Sequence, residues 1–190
     1  MDVWEDLEGK CKACRNCELC ETRNNVVFGV GDRNAKIMFI GEGPGELEDL
    51  KGEPFVGAAG RLLDDMLRII DLDRSNCYIA NIVKCRPPGN RDPLDAEQNA
   101  CIDYLRKQVA LVQPKIIVCL GRVAAKRVLY PDYRITQEHG TWIQRNGIWL
   151  TAIFHPSALL RDVSKRPETF EDLLDIRRKL HKIEETSCIE

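Results

Sequence analysis

The 190-residue chain has no apolar run longer than five residues and no apolar stretch behind its acidic N-terminus, so neither a membrane span nor a signal peptide is expected. It also lacks a surplus of positive charge. Its 28 lysines and arginines against 30 aspartates and glutamates leave a net charge of −2, and no overall basic field draws in a polyanion. The balance is uneven, with eleven acids and six bases in residues 1–50 but thirteen bases and ten acids in residues 111–190, so a polyanion would have to meet a local patch. No internal repeat or low-complexity segment is present. The glycine-rich loop Gly41-Glu-Gly-Pro-Gly45 has the wrong spacing for a dinucleotide fingerprint, and no Gly-Lys-Ser/Thr follows it, which disfavours both familiar nucleotide loops. What remains is a globular composition, 44% apolar and 31% charged, long enough to bury a core as a single domain over 1–190.

Within that composition, strand and helix signals alternate. Ile37–Ile40 is a short apolar run bounded by turn formers, read as a buried strand that breaks into the loop carrying Glu42. Gly60–Ile70 places Leu62, Leu63, Met66, Leu67 and Ile70 at helical spacing. Further strands are expected at Cys77–Ile82, Ile116–Leu120 and Ile148–Ile153, the last entered through a hairpin with Trp142–Gln144 as first arm and Asn146-Gly147 as turn. Helices are expected over about residues 95–113, 122–129 and 168–184. The pattern is α/β: a three-layer sandwich in which a four-stranded, mostly parallel sheet is flanked by helices. Ligands of such sheets bind beyond the carboxyl ends of the strands. Those ends fall at Glu42, Asn81, Gly121 and His155, which puts a carboxylate, an amide and an imidazole on one rim.

Nine cysteines, an odd number without an export signal, point to a reducing cytoplasm and to metal ligation over disulfides. Cys11, Cys14, Cys17 and Cys20 recur every third residue in a polar segment, residues 1–24, which has too few apolar side chains for its own core and needs a metal or the main body to order it. Cys85 and Cys101 bracket the proline-rich loop Arg86–Pro93. One Cys-x-x-Cys pair with the two distant thiols would close a four-cysteine site, equally suited to zinc or to a four-iron four-sulfur cluster. Cys77, Cys119 and Cys188 lie in or beside apolar runs and are read as buried small residues.

Four motifs occur together and in order: Gly41-Glu-Gly-Pro-Gly45, Gly52-Glu-Pro-Phe55-Val-Gly, Asn81-Ile-Val-Lys-Cys85-Arg-Pro-Pro and Phe154-His-Pro-Ser-Ala-Leu159-Leu-Arg161. Over about Cys14 to Arg161 the chain resembles the family 4, iron–sulfur type of uracil-DNA glycosylase. The resemblance implies a base-excision enzyme that hydrolyses the bond between uracil and deoxyribose in DNA without cutting the strand, leaving free uracil and an abasic site. It implies a [4Fe-4S] cluster on Cys14, Cys17, Cys85 and Cys101, with Cys11 and Cys20 outside the set. It implies uracil contacts from Gly41, Glu42, Gly43, Phe55, Asn81 and His155, with Glu42 and His155 as the catalytic pair. A related branch that becomes covalently trapped on DNA carries an inserted basic, histidine-containing loop and a glutamine in the first motif. Neither is present here, so turnover is expected.

The chemistry expected of these residues is as follows. The nucleotide rotates out of the helix, with Leu159 as the wedge that fills its place, and the base stacks on Phe55. Asn81 donates to O4 and accepts from N3–H, a pairing that cytosine reverses at both atoms. The Glu46–Asp49 loop crowds C5 against thymine. Glu42 orients or deprotonates the attacking water, and a neutral His155 donates to O2 beside loop amides near Gly43. Lys84, Arg86, Arg91, Ser157, Arg161, Lys165 and Arg166 hold phosphates, and the cluster is structural. The expected partner is uracil-containing DNA, met by a monomer with no membrane attachment. Two other classes compete: a redox module built on the cysteine run, and a protein that binds uracil in nucleic acid without cutting.

Overall fold

The computed structural model describes residues 2–187. Six strands form one sheet: β1 (Val30–Gly31), β2 (Ile37–Gly41), β3 (Tyr78–Asn81), β4 (Ile116–Leu120), β5 (Ile143–Arg145) and β6 (Ile148–Ile153), in the order β1-β3-β2-β4-β6-β5. The four central strands are parallel; β1 and β5 pair antiparallel at the two edges. The sheet therefore exceeds the four-stranded expectation by its two edges. β1 has only two residues, too few for any period to register. β5 is the hairpin arm, turned at Asn146 and Gly147 with φ of 51° and 78°, the doubly left-handed turn that matches strand twist.

Nine helices surround the sheet among the described residues: α1 (Val3–Lys12), α2 (Leu19–Thr22), α3 (Glu46–Lys51), α4 (Ala58–Ile69), α5 (Asp95–Val112), α6 (Arg122–Val128), α7 (Ile135–Glu138), α8 (Pro156–Arg161) and α9 (Arg166–Ser187). β2 and β4 are buried along their whole length, as apolar strands covered on both faces must be. Successive side chains alternate between the two cores. Ile37, Phe39, Val118 and Leu120 pack with α4, α8 and α9, while Met38, Ile40, Ile117 and Cys119 pack with α1, α5 and α6. Cys77 and Cys119 are buried small residues, as their apolar surroundings suggest; Cys188 lies outside the described residues. None of the described helices is long and apolar enough to cross a membrane.

The cysteine-rich segment borrows the main body for its order. Trp4 of α1 packs edge-on against Phe28 and Tyr78, with ring centroids 5.7 and 5.3 Å apart, and Leu7 and Cys11 follow it into the core on the same helical face. A second tie comes from a residue expected in a loop. The Glu46–Asp49 stretch is the start of α3, and Asp49 is fully buried (0% exposed). Its carboxylate accepts from the Asn24 backbone N–H (3.0 Å), the Asn24 Nδ2 (2.5 Å) and the Asn25 backbone N–H (3.3 Å). This carboxylate fixes the chain leaving the cysteine run. Asp49→Ala is expected to lower unfolding stability by about 2–3 kcal/mol in urea titration, because several donors lose a charged acceptor at once, with Asp49→Asn losing less. A change within about 0.5 kcal/mol for the alanine variant would contradict this anchoring role.

Candidate functional site

The parallel register delivers the strand ends to one edge of the molecule. Gly41 pairs with Asn81, and Leu120 with Ile153. The pairing runs on past the strands, with Ile82 N–H donating to Gly41 O (2.9 Å), Val83 N–H to Glu42 O (3.1 Å) and Gly121 N–H to Ile153 O (2.8 Å). Beyond these ends opens a cleft of about 620 Å³ whose walls include Glu42, Gly43, Phe55, Asn81, His155, Ser157 and Arg161. The carboxylate, amide and imidazole expected on one rim thus share one cavity.

The floor of the cleft depends on a missing side chain. A Cβ on Gly41 would sit 2.4 Å from Asn81 Oδ1 and 2.7 Å from Phe55 Cζ, so only glycine allows the amide and the ring to meet there. Phe55 itself has φ of 56°, a strained conformation for a bulky residue. Its neighbours hold it there. Arg74 donates through Nη1 to Pro54 O (2.9 Å) and through Nη2 to Phe55 O, and is itself fixed by Asp64 (2.7 Å). Glu48 Oε1 accepts from the N–H groups of Val56 and Gly57, both at 2.9 Å. The Phe55 ring then lies 5.6 Å from that of His155 at an interplanar angle of 30°. Arg74 lies outside every motif of the chain, and no local sequence signal marks it as a support of Phe55. Of the Glu46–Asp49 stretch proposed to crowd C5, only Glu48 lines the cleft, and its carboxylate is committed to the Phe55 loop.

Each polar group in the cleft has a defined state. Asn81 Oδ1 is buried and has no hydrogen-bond partner among the described residues, a costly condition unless something else supplies a donor. His155 Nδ1 accepts from the Ser157 backbone N–H (3.1 Å) and lies 2.8 Å from Ser157 Oγ. A nitrogen that accepts cannot carry the proton, so the neutral ring bears its hydrogen on Nε2. Burial, helped by Arg161, pushes the His155 pKa down to about 4, which keeps the ring neutral near pH 7. Burial, and then the Asp92 carboxylate, push Glu42 up to about 7 against the opposing pull of Arg122 and Arg161.

Several residues expected at DNA are placed otherwise. Leu159, the expected wedge, is 2% exposed and packed in the core below α8, whereas Leu160 next to it is 43% exposed. Lys84 is 1% exposed, with Nζ 2.6 Å from Gln108 Oε1, and it faces the cysteines, away from the cleft; it cannot reach a phosphate. Arg86 donates to Asn90 (2.8 Å) and does not line the cleft, and Arg166 donates to Leu159 O (3.2 Å). Arg91 lines it, but its guanidinium is held by both Glu97 oxygens at 2.9 and 2.7 Å. Ser157, Arg161 and Lys165 do face the cleft, and Arg161 has no ion-pair partner among the described residues.

A second, small pocket gathers Cys14, Cys17, Cys85 and Cys101, together with Cys11 and Cys20. Two of the sulfurs receive N–H donors: Arg23 Nη1 is 3.2 Å from Cys85 Sγ, and the Lys84 backbone N–H is 3.3 Å from Cys101 Sγ. The eight described cysteines are all free thiols. No three His, Cys, Asp or Glu side chains among the described residues are grouped so as to hold a single metal ion.

The profile of the Uracil DNA glycosylase superfamily matches residues 28–178. A type-4 uracil-DNA glycosylase of Archaeoglobus fulgidus is 43% identical over 186 residues, covering 93% of this chain and 92% of that protein. One from Sulfurisphaera tokodaii is 41% identical over 186 residues, covering 93% and 84%, and one from Thermotoga maritima is 42% identical over 169 residues, covering 86% of each. With the matched profile spanning the sheet, the cleft and most of the helices, the chain belongs to the uracil-DNA glycosylase superfamily and, within it, to the type-4 group.

Proposed function

We propose that this chain excises uracil from DNA by hydrolysing the N-glycosidic bond, leaving free uracil and an abasic site with the strand intact. The observation that carries this reading is the buried, unpartnered Asn81 Oδ1 at the floor of the cleft. Uracil extruded from the helix supplies what it lacks, an N3–H donor, and offers O4 to the amide's own N–H. Cytosine presents an acceptor at N3 and a donor at the exocyclic position, so both contacts would be left unpaired in a buried site. Phe55 gives the base a face to stack on, and Leu160, exposed on α8, takes the wedge role in place of the buried Leu159.

Cleavage leaves negative charge on the base and positive charge on the sugar. The Nε2–H of His155, whose tautomer the Ser157 backbone fixes, donates to O2 as that charge grows. Glu42 takes a proton from the attacking water, or orients it, and in its ionised form steadies the oxocarbenium-like sugar. Ser157, Arg161 and Lys165 meet the flanking phosphates. The protein works as a monomer of one domain in a reducing compartment such as the cytoplasm, where a cysteine-rich chain keeps its thiols for metal ligation.

The cysteine pocket is read as the seat of a [4Fe-4S] cluster held by Cys14, Cys17, Cys85 and Cys101. The donor set fits: four thiols from two distant parts of the chain, with N–H groups directed at two of the sulfurs. When bound, the cluster supplies a covalent tie between the N-terminal segment and both ends of the Arg86–Pro93 connection.

Glu42→Gln should lower single-turnover excision by about 10²–10⁴-fold and His155→Ala by about 10²-fold, both with DNA binding retained. Full turnover in both variants would remove these groups from the chemistry. Because Glu42 must be ionised to act, the wild-type rate should rise with pH through about 7 and level off above it, and this rise should vanish in Glu42→Gln. A flat wild-type profile through neutrality would contradict that role. Purified protein should be brown with about four irons per chain; a colourless, zinc-loaded protein of full activity would contradict the cluster.

A further inference from the structure

One charged pair at the cleft enters the chemistry above only through its opposed pulls on Glu42, and neither member has been given a role toward DNA. Asp92 comes from the connection that leaves β3, and Arg122 is the first residue of α6, which follows β4; both line the cleft. Since β2 lies between β3 and β4, their contact, Arg122 Nη2 to Asp92 Oδ2 at 2.5 Å, bridges the end of the strand that delivers Glu42.

The fold does not need this bridge. Arg91 and the Leu94 backbone N–H, both bonded to Glu97, already fasten the β3 connection onto α5. Arg127, through Asn99 at 2.7 Å, already ties α6 to α5. The pair itself is half in solvent, with side chains 52% and 57% exposed, and such pairs contribute at most a factor of a few to an equilibrium. A carboxylate and a phosphate present the same forked acceptor geometry to a guanidinium, so one can replace the other without moving the arginine.

We infer that Arg122 is a binding site for a DNA backbone phosphate, masked in the free protein by Asp92, which gives up its place when a strand enters the cleft. The inference rests on the glycosylase reading and adds to it a residue that neither the motifs nor the family resemblance assigns. Arg122 lies with Arg161 and Lys165 on the cleft wall, where these side chains supply the local positive charge that the overall balance does not provide.

The test is equilibrium binding of a short fluorescent duplex containing no uracil, over a range of salt, to wild type, Asp92→Asn, Arg122→Gln and the double variant. Thermal melts check that all four are folded. Arg122→Gln should weaken binding by about fivefold to tenfold and reduce the salt slope by about one. Asp92→Asn should tighten binding by a factor of about two to five, and the double variant should lose that gain. The signature of masking is that Asp92→Asn tightens binding only while Arg122 is present, because independent charge effects of the two residues on DNA would add in the double variant. If both single variants weaken binding, or neither changes it, the pair is a structural contact and the inference fails. Uracil excision by the wild type, run in parallel on a uracil-containing duplex, reports on the glycosylase reading separately.

Discussion

Gly41 and Asn81 are neighbours in a parallel ladder, and the bare Cα of the first makes room for the amide of the second and for the ring of Phe55. The rest of the site builds outward from that contact. Phe55 can reach it only in a left-handed conformation, so Arg74 and Glu48 are spent on holding its loop. The ring then bounds His155, whose own nitrogen is engaged by the Ser157 backbone. The cleft is in this sense a product of strand register: a slip of one residue in β3 would send Asn81 to the other face, and one in β2 would take Gly41 from beside it.

The parts of this arrangement carried by period and punctuation were legible in the chain. Apolar runs such as Ile37–Ile40 and Ile116–Leu120 are buried on both faces, and parallel strands necessarily end on a common rim, which is why Glu42, Asn81 and His155 converge. What the chain hid were matters of rotation and of distant partners. Leu159 and Leu160 are equivalent in a motif, yet the turn of α8 sends one into the core and the other to solvent. Lys84 looks like a surface charge until Gln108, on a helix 24 residues further on, is seen to receive it. Arg74 is joined to Phe55 across 19 residues by a contact that no local pattern encodes. The polar look of residues 1–24 conceals Trp4, a single large side chain that seats α1 on the core.

The two pockets are not independent. Cys85 and Cys101 belong to the thiol pocket, and the chain between them forms part of the cleft through Pro87, Asn90, Arg91 and Asp92. One short connection therefore serves as a wall for one pocket and as the mounting of the other. The Arg91–Glu97 pair fastens this connection, its carboxylate buried and its guanidinium exposed, with Glu97 accepting from both the guanidinium and the Leu94 backbone N–H.

The elevated Glu42 pKa has a thermodynamic side. Folding lifts this carboxyl from an ordinary value of 4.5 to about 7, so the native chain holds a proton that the denatured chain has already released between those values. By linkage, the contribution of this group makes the native state most robust below about 4.5 and progressively less so up to about 7, after which the deficit stays constant. The acidity range that readies the carboxylate for reaction is thus the range in which it weighs against the folded form, and a glutamine there would trade away turnover for endurance.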